Sequence, residues 1–187
     1  MKYFFTALST LLFFTSSLQA QQTYTVDTKN STVYYKALAD VFFFIDNSIL
    51  SINQSVQGKI QVEDNRLING EIIINIKDFD SQNGMRDDDV MSIVGYEINP
   101  NITFRIHNTE VIKGQLFLVG TLEVNSVIKT ITVAVIKTYI NDSITYEGKL
   151  KVKYIDFEIA PPTLGGFIKK AKESIEIGAK IRFVKTK

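Results

Sequence analysis

The amino-acid sequence predicts an all-β domain of about eight long strands, in an antiparallel sheet that is either closed into a barrel or folded as a sandwich. Three observations predict this class. Apolar and polar side chains alternate with a period of two, turn residues recur at hairpin spacing, and a single short segment has helical character. No internal repeat or low-complexity linker divides the chain, which indicates one domain.

The first 20 residues have the pattern of a secretory signal peptide. Lys2 gives a short positive start, an apolar stretch runs from Tyr3 to Phe14, and Leu18-Gln19-Ala20 places a small residue before the cleavage point. The apolar stretch is shorter than the about 20 residues that a membrane span requires, which makes an uncleaved anchor the weaker alternative. We therefore expect an exported protein, periplasmic or secreted, with its mature domain over residues 21–187.

Period-two alternation predicts the strands one by one. The clearest runs from Ile144 to Tyr154, where apolar side chains occupy one face and Thr, Glu and Lys side chains the other. A helix would not separate these two sets. The same alternation predicts strands, in chain order, at Thr32 to Ala39, Ser55 to Glu63, Glu71 to Lys77, Asn101 to Asn108, Gln115 to Val124, Lys129 to Tyr139 and Ser174 to Phe183.

Turn and helix signals lie between these strands. Glu63-Asp64-Asn65, Lys113-Gly114 and Asn141-Asp142 have the composition of hairpin turns. A short helix is predicted from Arg86 to Val94, because acidic residues suit the positive end of its dipole and Gly95 is placed to end it.

Composition excludes several classes of function. The chain has 21 basic and 20 acidic residues, a formal charge of +1, and no cluster of basic side chains of the kind that binds nucleic acid. It has no cysteine and one histidine, His107, so cysteine nucleophiles, disulfides and zinc sites are excluded. We expect no nucleic-acid partner, no metal, no cofactor and no catalytic residue; His107 is interpreted as a surface residue.

The charged segment before and within the predicted helix admits more than one interpretation. Asp87-Asp88-Asp89 could bind a hard cation, but helix-start chemistry explains the three acids, and their spacing lacks the ligand alternation of a calcium loop. Arg86 could pair with Asp80 as a structural clamp or donate two hydrogen bonds to a phosphate. We favour the clamp and keep Asp80 and Arg86 as candidate head-group residues.

Short motifs along the chain resemble one known family. In chain order they are Val26-Asp27 with Ser31-Thr32-Val33, Gly58-Lys59-Ile60, Phe79-Asp80-Ser81-Gln82-Asn83, Met85-Arg86-Asp87, Asn99-Pro100-Asn101-Ile102-Thr103-Phe104, Val119-Gly120-Thr121-Leu122 with Lys129, and Asp156-Phe157-Glu158-Ile159. In order and spacing they resemble the YceI-like family, secreted proteins described as polyisoprenoid-binding. Two positions depart from the family pattern: Asp89 stands where a His is common, and Ser126 where a Gly is common.

The resemblance implies an eight-stranded antiparallel, lipocalin-like barrel with one short helix and an elongated apolar interior that holds a long isoprenoid or other lipid tail. An ordinary filled core would explain the same alternation, because an eight-stranded barrel either is filled by side chains or holds one small ligand. The candidate lining residues are Phe42, Phe44, Ile74, Ile76, Phe104, Leu118, Val133, Val135, Tyr146, Val152, Ile181 and Phe183.

Two apolar segments do not alternate. Val41 to Ile45 contains three adjacent Phe residues. We interpret this segment as an apolar lip at the mouth of the barrel interior, or a surface that touches membrane while lipid enters. The alternatives are a segment buried on both faces and an interface. Pro161 to Ile168 is interpreted as either a plain loop before the last strand or a flexible flap over the apolar interior of the barrel.

We therefore predict an exported binding protein that sequesters or carries a long isoprenoid (a polyisoprenoid, an isoprenoid quinone or an isoprenyl phosphate) or a similar lipid. Two alternatives remain open. One is an enzyme that acts on a barrel-bound lipid through Asp80, Arg86 and one acid of Asp87-Asp88-Asp89; the other is a filled barrel that binds another protein through its Phe segment. A homodimer through that segment also remains open.

Overall fold

The computed structural model describes residues 21–39, 48–160 and 171–186. These ranges contain one α-helix, α1 (Gly84–Ile93). The strands in them are β1 (Gln22–Val26), β2 (Thr32–Ala39), β3 (Ser48–Asn53), β4 (Gln57–Glu63), β5 (Arg66–Asn75), β6 (Phe79–Asp80), β7 (Asn101–Ile112), β8 (Gln115–Val124), β9 (Val127–Ile140), β10 (Ser143–Lys153) and β11 (Ala171–Lys185). No helix in the described part of the chain is long and apolar enough to cross a bilayer.

All strand pairs are antiparallel, and the sheet closes on itself. Its order is β1-β4-β5-β7-β8-β9-β10-β11, and β11 pairs back with β1. The remaining strands continue three of these: β2 follows β1 along β11, β3 precedes β4, and β6 follows β5. The pairs β1 with β2, β3 with β4, and β5 with β6 each form one long, interrupted strand. Together with β7 to β11, they make a barrel of eight strands. This confirms the predicted barrel and excludes the sandwich.

The interruption between β1 and β2 is a single 3-10 turn at Thr28–Asn30. After it, the buried hydroxyl of Ser31 donates to the Asp27 carbonyl (2.8 Å) and accepts from the Arg182 amide (3.0 Å). The Ser31 hydroxyl thus replaces the backbone carbonyl that would otherwise accept from the Arg182 amide of β11. The chain can bend here and this amide stays paired.

Two-residue turns join four of the hairpins. Asp64-Asn65, Lys113-Gly114, Asn125-Ser126 and Asn141-Asp142 all have positive φ at both positions. This is the type I′ geometry, whose twist matches that of the flanking strands. Three of the four turns are predicted by the sequence; Asn125-Ser126 is not.

Every predicted strand is found, although β5 begins five residues earlier than predicted and β7 ends four residues later. β2 and β8 have the predicted bounds, and α1 begins two residues early, at Gly84, directly after the cap residue Asn83. β1, β3 and β6 are not predicted. In β3 the buried side chains are the polar Ser51 and Asn53, whereas Leu50 and Ile52 face outward.

Hydrogen bonds explain the burial of Asn53 in this inverted pattern. The Asn53 side chain donates to the Asn75 carbonyl (2.8 Å) and accepts from the Ser55 amide (2.8 Å), so its burial leaves no polar group unpaired. Asn75 lies on another strand, β5, and a period-two pattern carries no information about such a partner.

Two groups of buried side chains mark the two ends of the barrel. At one end Tyr24, Ile60, Leu67, Ile144 and Phe183 are each at most 3% exposed. At the other, Leu122, Val124, Tyr154, Phe157 and Ile159 pack with Ile93 and Val94 near α1. We call these the closed end and the helix end.

Candidate binding cavity

A cavity of about 240 Å³ lies inside the barrel. An engineered apolar cavity of about 150 Å³ is enough to bind benzene, so this one has room for a larger apolar group. The barrel is therefore not filled by its own side chains. All ten predicted lining residues within the described ranges border the cavity: Ile74, Ile76, Phe104, Leu118, Val133, Val135, Tyr146, Val152, Ile181 and Phe183. Their contact with a lipid stays a prediction.

The cavity is elongated. On one wall its lining runs from Tyr146 in β10 to Tyr154 just beyond that strand. These eight steps correspond to ~26 Å at ~3.3 Å per residue, or about 20 Å along the axis of a barrel with strands tilted by ~40°. The space suits an extended chain better than a compact molecule.

Aromatic and aliphatic side chains seal the closed end. The rings of Tyr146 and Phe183 meet edge to face with their centroids 6.2 Å apart, and both border the cavity. Burial raises the pKa of Tyr146, which keeps its phenol neutral. An apolar chain that enters the cavity ends against these rings.

Helix α1 lies over the opposite end. Its residues Val90 and Ile93 line the cavity, as does Val94, which directly follows the helix. The helix begins where the Asn83 side chain accepts from the Arg86 amide (3.2 Å), and it is followed by Gly95 at φ +74°, packed against Asn125.

The structure brings only one of the two head-group candidates to the cavity. Arg86 borders it, whereas Asp80 is exposed and accepts from the Gln82 amide (2.7 Å). No ion pair joins the two residues, so the clamp that we favoured does not form. A different contact joins the helix to the segment before it: the Asp87 carboxylate accepts from the Ser81 amide at 3.1 and 3.2 Å.

Sequence reasoning missed a set of polar groups near α1. Tyr35 on β2 lines the cavity with its ring 5.3 Å from that of Phe79, and burial raises its pKa. Tyr154 also lines the cavity, and burial raises its pKa to about 12. Ser51 is buried on β3, directly opposite Tyr35. The alternation of β2 offered a signal for Tyr35, which shares the buried face with Val33 and Ala37, whereas the inverted pattern of β3 gave none for Ser51.

The other candidate groups are dispersed. Among the described residues, no three His, Cys, Asp or Glu side chains are arranged to hold a metal ion. His107 is exposed, with Nε2 3.3 Å from the Thr121 hydroxyl. The predicted signal peptide and the apolar segments containing Phe42, Phe44 and Pro161 to Ile168 lie outside the described residues.

An eight-stranded antiparallel barrel closed around an elongated apolar cavity is the architecture of lipocalin-like proteins, which hold one small ligand inside. Residues 24–183 match the model of the YceI-like domain, and the chain belongs to that family. This confirms the resemblance found in the sequence. No curated protein sequence matches the chain.

Solved structures share the fold. BcnA from Burkholderia cenocepacia aligns with a TM-score of 0.69 and 16% identity, over 84% of this chain and 98% of that one. A polyisoprenoid-binding domain from Saccharophagus degradans, implicated in plant cell wall breakdown, aligns with a TM-score of 0.68 and 8% identity. The alignment covers 87% of this chain and 98% of that domain. The Campylobacter jejuni YceI protein aligns with a TM-score of 0.58 and 18% identity, over 75% of this chain and 90% of that one. At these identities the likenesses establish the fold and not the ligand.

Proposed function

We propose that this protein is an exported lipid-binding protein that sequesters or carries a long isoprenoid, or a similar lipid, with its tail inside the barrel. The observation that carries the proposal is the cavity: about 240 Å³, elongated, and lined almost entirely by apolar side chains. The Saccharophagus degradans domain, described as polyisoprenoid-binding, is a structural neighbour with the same barrel and supports this class of ligand.

The energetics of burial favour a long tail. At ~25 cal/mol per Å², burying about 300 Å² of apolar ligand gains ~7.5 kcal/mol, which an association cost of roughly 4 to 15 kcal/mol can cancel. Burying about 600 Å² doubles the gain without doubling the cost of association. The length of the tail should therefore dominate affinity, as expected for a polyisoprenoid, an isoprenoid quinone or an isoprenyl phosphate.

Loading requires the lipid to leave a membrane, since long isoprenoids have almost no solubility in water. A transient contact between the protein and a membrane surface provides this step. The apolar run from Val41 to Ile45 is our sequence-based candidate for that contact, and the signal-like first 20 residues support a periplasmic or secreted location.

Native mass spectrometry of residues 21–187, purified from a host with abundant isoprenoids, tests the proposal. We expect a protein peak shifted by one bound molecule, and solvent extraction should release a long-chain isoprenoid in about equimolar amount. Delipidated protein should then bind isoprenoids with an affinity that rises with tail length. A mass without ligand, together with no binding of any added isoprenoid to folded protein, would refute the proposal.

A further inference from the structure

The outward face of β9 is uncharged and exposes three isoleucines. Ile131, Val133 and Val135 line the cavity, so the alternate side chains of this strand point away from the barrel. The outward set is Ile128, Thr130, Thr132, Ala134, Ile136, Thr138 and Ile140. Its isoleucines are, in chain order, 57%, 68% and 59% exposed. Contiguous apolar surface exposed on a folded protein marks an interaction site.

The neighbouring strand β8 widens this uncharged face. Phe117 and Val119 are the direct partners of Ala134 and Thr132 in the antiparallel ladder. Both point outward, because Leu118 between them lines the cavity. The centre of the face therefore combines an aromatic ring, two aliphatic side chains and a threonine, without any charge that would have to lose its water on contact.

The order of side chains along β9 is nearly the same in both directions. Counted outward from Ala134, Thr130 corresponds to Thr138 and Ile128 corresponds to Ile140. A twofold-symmetric dimer requires such a self-complementary surface, because the same patch is contributed by both copies. If two β9 strands cross antiparallel with the twofold axis at Ala134, threonine faces threonine and isoleucine faces isoleucine. The small alanine side chain allows close approach at the axis.

The charged residues at the edge of the face fit the same arrangement. On β10, Glu147 is the partner of Ile136, toward the closed end, and Lys149, Lys151 and Lys153 follow outward toward the helix end. Because the second copy runs in the opposite direction, its lysines lie toward Glu147 of the first copy. Complementary charges of this kind fix the relative orientation of two partners.

The size of the face suits a reversible dimer. Its outward positions span ~40 Å at ~3.3 Å per residue, and with one strand on each side of β9 the face is ~14 Å wide. Two copies would bury about 1,100 Å² in total. This area exceeds the ~1,000 Å² that a biological interface requires but not the ~1,600 Å² of a typical stable one.

We infer that the outward face of β9, together with Phe117 and Val119, is the interface of a reversible homodimer with antiparallel β9 strands. The inference goes beyond the proposed function and does not depend on the ligand. In this dimer the helix ends of the two barrels point in opposite directions.

Sedimentation velocity of residues 21–187 over a range of concentrations tests the interface. Ala134→Lys places two positive charges face to face at the axis. Gln57→Lys is the matched control, because Gln57 is exposed on β4, which is four strands from β9 in either direction around the barrel. Circular dichroism and the melting temperature of each variant at low concentration establish that it is folded.

We expect the wild type and Gln57→Lys to form dimers with a dissociation constant in the micromolar range. Ala134→Lys should raise this constant at least about 100-fold, because like charges that face each other across an interface are strongly unfavourable. Ala134 is exposed, so the variant should melt at the temperature of the monomeric wild type.

A pair of charge variants tests the antiparallel register. Thr132 of one copy faces Ile136 of the other when the axis lies at Ala134, so Thr132→Lys and Ile136→Glu should each weaken self-association. An equimolar mixture of the two proteins should associate more tightly than either protein alone, because the introduced charges face each other with opposite sign.

A wild type that stays monomeric at submillimolar concentration overturns the inference. This includes the case where Ala134→Lys weakens binding to vesicles or to another protein, since the face then serves a different partner. A dimer that Ala134→Lys leaves intact overturns it by placing the interface elsewhere. A mixture of Thr132→Lys and Ile136→Glu that associates no better than its components overturns the antiparallel register.

Discussion

The ammonium group of Lys137 on β9 donates to the backbone carbonyl and the side-chain oxygen of Asn65, at 2.6 and 2.9 Å. Asn65 lies in the turn between β4 and β5, and in the closed sheet β9 is three strands from β5 in one direction and four from β4 in the other. Lys137 follows Val133 and Val135 on the inward face. The contact therefore spans the barrel at its closed end, and the associated desolvation lowers the pKa of Lys137.

Lys137→Met should lower the free energy of unfolding by about 1 kcal/mol, because it keeps the apolar stem and removes two hydrogen bonds from a charged donor. Urea unfolding measures the change. Lys151→Met, on the exposed outer face of β10, is the control and should have little effect. A Lys137→Met protein as stable as the wild type would mean that desolvation of the ammonium cancels its hydrogen bonds.

Val133→Phe should reduce lipid affinity by narrowing the cavity. If the larger side chain excludes about 100 Å² of ligand surface from burial, the loss is ~2.5 kcal/mol, between one and two orders of magnitude in the dissociation constant. Ala134→Phe on the outward face of the same strand is the control. Dissociation constants for one isoprenoid in the two variants provide the measurement, and equal values would place the ligand outside the barrel.

Gly95→Ala should loosen the attachment of α1. Gly95 has φ +74°, and a Cβ there would collide with the Asn125 side chain. A left-handed conformation alone costs a non-glycine residue about 1–2 kcal/mol. We expect a lower melting temperature and faster exchange of bound lipid, followed by stopped-flow transfer to vesicles.

Gly84→Ala is the matched variant for that experiment. It lies in the first turn of the same helix, and a Cβ there meets no atom within 4 Å. Since alanine favours helix over glycine by up to about 1 kcal/mol, this change should leave stability equal or higher. Faster lipid exchange in Gly84→Ala as well would show that the effect does not come from the contact of Gly95 with Asn125.

The stability of the protein should fall above pH 10. Burial raises the pKa of Tyr154 to about 12 in the folded state, compared with about 10 in the unfolded chain. The unfolded state therefore loses its proton first, and the contribution of Tyr154 is complete below pH 10 and lost as the pH rises toward 12.

Tyr154→Phe should reduce the decline in the free energy of unfolding between pH 10 and 12 by about 1.4 kcal/mol per pH unit, the effect of one proton. Urea titrations at several pH values in this interval provide the slopes. Identical slopes for the wild type and Tyr154→Phe would contradict the assignment.

Strands with a regular alternation could be located from the sequence because their two faces meet different solvents. β8 has the predicted bounds, and the turns at Asp64-Asn65 and Asn141-Asp142 adopt the expected hairpin geometry. β3 could not be found in this way. Its buried side chains are the polar Ser51 and Asn53, and the partner of Asn53, the Asn75 carbonyl, is brought near only by the folded sheet.

The candidate site divides along the same line. Alternation placed Ile74, Val135 and Ile181 on the inward face because neighbouring side chains of a strand point to opposite sides. It did not place Tyr35 beside Ser51, or separate Asp80 from Arg86, since both relationships join different elements.

By itself the sequence determined an all-β chain, its main hairpins and the face of most strands that turns away from water. Whether the enclosed volume is filled was decided only by the tertiary structure. The same inward residues fit a packed core or a wall around a cavity, and the difference lies in how far apart the closed sheet holds them. The closure of β1 on β11 and the position of α1 set that distance.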